Sequence, residues 1–144
     1  MKNSLFFSFV LVVLLTGCKG ERRLAIEGSW RMVYGEWMAS DSSTYPAQIM
    51  GSQIKSWTKE YFTFVGEFKR GHSPIEDAYG GGTYTLIGNR YTENAVYQYT
   101  KAYLDNEIRI LLEIKGDTLI QRWPATVDWK LPKKYCMEKY VRLR

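Results

Sequence analysis

Histidine, cysteine and proline are scarce in this chain, at one, two and four residues of 144. The single histidine, His72, sits in Gly71-His72-Ser73, which lacks the Gly-x-Ser-x-Gly elbow of a serine hydrolase. With cysteines only at Cys18 and Cys136, no His/Cys cluster has the spacing of a metal site. His72, Glu76 and Asp77 form either a loose metal site or a polar loop, and we read the loop. Catalysis by carboxylates alone would need a second acid beside Glu93, and none is legible; the expectation is a protein that is not an enzyme and needs no cofactor or metal. The sequence also lacks a sustained helical period and any apolar run long enough to span a bilayer as a helix, for which about 20 residues are needed.

One apolar run is present, Leu5 to Leu15, interrupted only by Ser8 and preceded by Lys2. Its length and flanking charge suit the core of an export signal. It ends in Leu15-Thr16-Gly17-Cys18, which resembles the lipobox of bacterial lipoproteins. That resemblance implies cleavage after residue 17 and acylation of Cys18, and attachment through more than one chain makes anchoring stable. Lys19, where many such lipoproteins carry an acidic inner-membrane retention residue, points to the outer membrane of a Gram-negative envelope. The expected organisation is therefore a signal peptide at 1–17, a lipidated tether at 18–27 and one domain at 28–144.

Loss of Lys2 with the signal lowers the net charge from +5 to +4. The bases do not form a stripe interleaved with aromatics, so no nucleic-acid partner is expected. A local excess lies at the C-terminus, where Lys130, Lys133, Lys134, Lys139, Arg142 and Arg144 face only Glu138 in sequence. It suits either anionic head groups near the anchor or a solvated end of the fold. Acylation of Cys18 would leave Cys136 without an intramolecular partner, so stability must come from the core, in which Cys136 is read as a small buried residue.

What is abundant is aromatic: eleven Tyr, six Phe and five Trp. They recur with β-branched residues at period two between Gly, Asn and Asp turns, which predicts strands. Eight are expected: Gly28 to about Ala39, Gln53–Trp57, Glu60–Gly66, Gly81–Ile87, Arg90–Thr100, Glu107–Lys115, Thr118–Trp123 and Met137–Leu143. Gly88-Asn89 and Gly116-Asp117 supply tight turns, and the polar stretch Glu67–Gly80 is read as a loop. Ile108, Ile110, Leu112 and Ile114 share one face of their strand while Arg109, Glu113 and Lys115 share the other. Sequential hairpins with one apolar face each predict an all-β, eight-stranded antiparallel up-and-down barrel.

Gly28-Ser29-Trp30 matches the Gly-x-Trp that opens the first lipocalin strand, and Arg142 stands where that family places a base against the tryptophan. Together with Tyr61-Phe62-Thr63-Phe64-Val65, Gly80-Gly81-Gly82-Thr83-Tyr84, Ile114-Lys115-Gly116-Asp117 and Lys139-Tyr140-Val141-Arg142, the layout resembles the lipocalin-like domains of bacterial lipoproteins. The usual second motif, Thr-Asp-Tyr, has no counterpart. The resemblance implies a barrel closed at one end by Trp30 and Arg142 and open to a small hydrophobic or amphipathic ligand.

By alternation the interior candidates are Tyr34, Trp57, Phe62, Phe64, Tyr84, Tyr97, Tyr99 and Trp123. These rings either line a ligand cavity or fill the barrel themselves, the latter leaving a scaffold that displays loops, with Trp37 and Ile49 exposed, to a protein partner. Glu93 shares their parity. It either points inward, where it would need a partner, or is shifted to solvent by a bulge.

Overall fold

In the computed structural model the described residues are 26–39, 51–69, 74–104 and 106–144. Eight strands run through them: β1 (Gly28–Ala39), β2 (Gly51–Trp57), β3 (Tyr61–Phe68), β4 (Glu76–Ile87), β5 (Arg90–Gln98), β6 (Glu107–Lys115), β7 (Thr118–Trp123) and β8 (Tyr135–Arg142). Each pairs antiparallel with the next, and β8 pairs with β1, so the sheet closes as an up-and-down barrel without a free edge. Between β5 and β6 lies one 3-10 turn, Lys101–Tyr103. Cys18, His72 and Ile49 lie outside the described residues, as does the lipobox.

The alternation in the sequence sets the faces. On β6, Ile110 and Leu112 are buried in the core and Ile108 and Ile114 pack against it. Gly88 and Gly116 have φ of 59° and 58°, the left-handed region their hairpin turns require. Two strands are longer than expected: β3 continues to Phe68 and β4 begins at Glu76, inside the stretch read as a loop. Pairing of Phe68 with Glu76 and of Glu67 with Asp77 uses backbone groups, and the acids point to water, so their polarity does not interrupt the ladder. Gly80-Gly81-Gly82 therefore lies inside β4. A Cβ on Gly82 would stand 2.0 Å from the Asn94 carbonyl oxygen.

Bulges break the period at two places that matter. Val33 is an extra residue between Met32, opposite Tyr140, and Tyr34, opposite Lys139. Val96 is an extra residue between Ala95, opposite Gly82, and Tyr97, opposite Gly81. Beyond each bulge the side chains change faces.

One end of the barrel is closed. Trp30 is fully buried, the Arg142 guanidinium lies 4.0 Å from its ring centroid, and the indole N–H donates to the Ile26 carbonyl at 2.8 Å. Arg142 Nη1 donates to the Glu27 carbonyl at 2.7 Å, tying the segment before β1 across this end. Above this floor Trp57, Phe62, Tyr91, Leu119 and Tyr140 pack into one core. A smaller cluster of Tyr34, Tyr135 and Met137, with Ile120 and Leu131 against it, forms outside the barrel wall beneath the β7–β8 connection.

Candidate functional site

The barrel interior changes character halfway along. At the closed half the rings fill it: Trp57 Nε1 donates to Tyr91 Oη at 2.7 Å, and Trp57 meets Tyr91 and Tyr140 edge-on. Next comes a charged layer. Lys55 on β2 shares the inward face with Trp57 and Gln53, and its ammonium makes a direct ion pair with Glu93 on β5, both side chains buried. Lys55 Nζ also lies 3.4 Å from Gln121 Oε1 and 5.3 to 5.9 Å from the ring centroids of Phe62, Trp57, Phe64 and Tyr91. A carboxylate on one side and four ring faces around it replace much of the hydration this ammonium loses.

A second buried carboxylate, Glu138 on β8, lies in the same layer. Tyr140 Oη donates to Glu138 Oε2 at 2.7 Å, Gln53 Nε2 donates to Tyr140 Oη at 2.8 Å, and Trp123 adds a side-chain hydrogen bond to Glu138. Burial raises the Glu138 carboxyl above the ordinary value of 4.5; Lys55 and the two hydrogen bonds oppose this only in part. Burial, reinforced by the neighbouring carboxylates, also holds the Tyr91 and Tyr140 phenols well above their usual range, so both remain hydrogen-bond donors at neutral pH. Gln121 on β7 is completely buried, and its Nε2 finds no acceptor among the described residues.

From this layer to the open end runs a cavity of about 60 Å³. Its inner wall is Lys55, Glu93, Glu138 and Gln53; towards the mouth follow Phe64, Phe68, Gln98, Tyr99, Tyr103 and Trp123. It has room for roughly four to six water-sized groups. An adjoining groove of about 370 Å³ shares Tyr103, Ile108 and Trp123 with it and continues over Pro124, Tyr135 and Cys136. The inner space is small, with charged and amide side chains at its inner wall and rings towards its mouth. The outer one is mostly apolar and within the roughly 300–1,000 Å³ range of pockets that take a small molecule.

Of the residues read as interior, Phe64, Glu93, Tyr99 and Trp123 line the cavity. Trp57 and Phe62 belong to the packed core, and Tyr84 packs against it with its hydroxyl on the Thr58 carbonyl at the closed end. Two placements are corrected. Tyr34 lies in the outer cluster because the Val33 bulge turns it outward, and Tyr97 is 75 % exposed because the Val96 bulge does the same. Glu93 precedes its bulge and points inward. Sequence reading missed Lys55, Gln53, Gln121 and Glu138. Each sits at an inward parity, two or four residues from Trp57, Trp123 or Tyr140, but polar identity argues against burial until a partner is known.

Removing one member of the Lys55–Glu93 pair leaves a buried charge. Lys55→Met and Glu93→Gln are each expected to lose roughly 3–5 kcal/mol of unfolding free energy, and the double variant to regain most of it. Urea denaturation of the four proteins measures this, and losses that simply add would contradict it. Glu138 makes a separate prediction. Because its folded value is raised, the folded state binds the proton more tightly than the unfolded chain, so its contribution is full below about 4.5 and is lost as pH rises through the folded value. Glu138→Gln should remove that decline from the stability–pH curve; a curve that keeps its slope would show that another group causes it.

In comparisons with known proteins, no protein family matches the chain and no curated protein matches it, so what the cavity can hold is read from its own residues.

Proposed function

We propose that this is a lipocalin-like binding protein, anchored through Cys18 at the cell envelope on the outer membrane of a Gram-negative bacterium, whose barrel holds one small amphipathic molecule. The observation that carries this reading is the pair of adjoining spaces at the open end: a small inner cavity with charged and amide groups at its inner wall, under a mostly apolar groove. An amphiphile fits them in one orientation, with its head beside the charged layer and its tail along Ile108, Trp123 and Cys136. A purely apolar ligand would leave the Glu138 and Gln53 side chains on the cavity wall facing a group that cannot hydrogen-bond, which disfavours it. The inner space is too small for a bulky lipophile inside the barrel, because Trp57, Phe62 and Tyr91 already fill the closed half.

A second reading has one observation in its favour. Ile54, Val65 and Tyr79 are exposed and lie in register on β2, β3 and β4, with exposed Val96 and Tyr97 on the neighbouring β5. Such a row suits a barrel that displays its wall to a protein partner.

Calorimetric titration with 1-octanol distinguishes the readings. One saturable site is expected, and Ile108→Trp, which fills the space shared by cavity and groove, should weaken it about tenfold or more, read below the variant's own thermal midpoint so that loss of fold is kept apart from loss of the site. Absence of a saturable site, or an Ile108→Trp variant that binds octanol as well as the parent, would remove the container reading and leave the display one.

A further inference from the structure

We infer that the molecule held at the open end carries a positively charged head group, an alkylammonium, with Glu138 as its counter-charge; this rests on the container reading above. The charge arithmetic of the cavity wall carries the inference. Three acidic or basic side chains line it: Lys55, Glu93 and Glu138. The first two neutralise each other in a direct ion pair, and the ammonium is further enclosed by four aromatic rings and the Gln121 oxygen. Glu138 is the charge left over. Among the described residues no cation forms an ion pair with it.

Its direct partners are neutral. Tyr140 and Trp123 each donate one hydrogen bond, and a carboxylate offers about four acceptor positions, so capacity remains on the cavity side. An anionic head in the same space would stand against two carboxylates, with the nearest cation already committed to one of them. An ammonium meets the opposite situation: a buried carboxylate in front and the faces or edges of Phe64, Phe68, Tyr99 and Trp123 around it, a setting that favours a desolvated cation. Three to four heavy atoms of head group match the inner volume, and the chain then continues into the groove that begins at Ile108 and Trp123.

The test uses three ligands of equal chain length at pH 7, octylamine, 1-octanol and sodium octanoate, titrated into the protein and into Glu138→Gln. Octylamine is expected to bind about tenfold or more tighter than octanol, with octanoate weakest. Glu138→Gln, which keeps an oxygen to accept from Tyr140, is expected to lose the octylamine preference, so that octylamine and octanol bind within a few-fold of each other; a near-ultraviolet circular dichroism spectrum like the parent's shows that the aromatic core is still formed. Octanoate binding best, or an octylamine preference that survives Glu138→Gln, would overturn the charge assignment while the container reading stands. No saturable binding of any of the three would overturn both.

Discussion

A lysine and a glutamate buried face to face in the middle of a small barrel set what the rest of the molecule can be. Lys55 and Glu93 stand on strands on opposite sides of the β3–β4 hairpin, and they meet only because the sheet closes. Neither would be tolerated alone in that interior, where an uncompensated charge is costly, so the pair constrains strand register on both sides at once. A one-residue slip of β2 or β5 would put one partner into water and leave the other buried without it.

The pair also divides the barrel. On one side lies a dry half, sealed by Trp30 stacked under Arg142 and filled by Trp57, Phe62, Tyr91 and Leu119. On the other side the polar groups continue, through Gln121, Glu138, Gln53 and Tyr140, into a cavity and then an apolar groove. The packed core therefore resides in the closed half, and the proposed recognition in the open half. The aromatic richness of the chain serves both, as packed rings below the charged layer and as a rim above it.

The architecture was legible in the sequence because period-two alternation and two-residue turns are local signals: strand number, the Gly88-Asn89 and Gly116-Asp117 hairpins and the inward face of β6 all follow from them. The site was legible only in part. Tyr34 and Tyr97 were placed by parity, and a bulge of one residue, at Val33 and Val96, reverses parity without leaving a composition signal. Lys55 and Glu138 failed for a different reason. Lys55 is buried against Glu93 on a non-adjacent strand, a pairing that only closure creates, and Glu138 against Tyr140 two residues on and Trp123 on the next strand, a contact that alternation alone does not single out. Glu76 and Asp77 hid the start of β4 because solvent-exposed side chains at a barrel end carry no information about the backbone ladder behind them.

The container claim is tested most directly by native mass spectrometry of the protein purified from bacteria, before and after addition of octylamine or 1-octanol. The account predicts a single occupancy: either a co-purified small amphiphile in one-to-one ratio that an added amphiphile displaces, or a bare chain that takes up one added molecule and no more. A bare chain that stays bare at saturating concentrations of both, or one that adds ligand after ligand without a plateau, would contradict it.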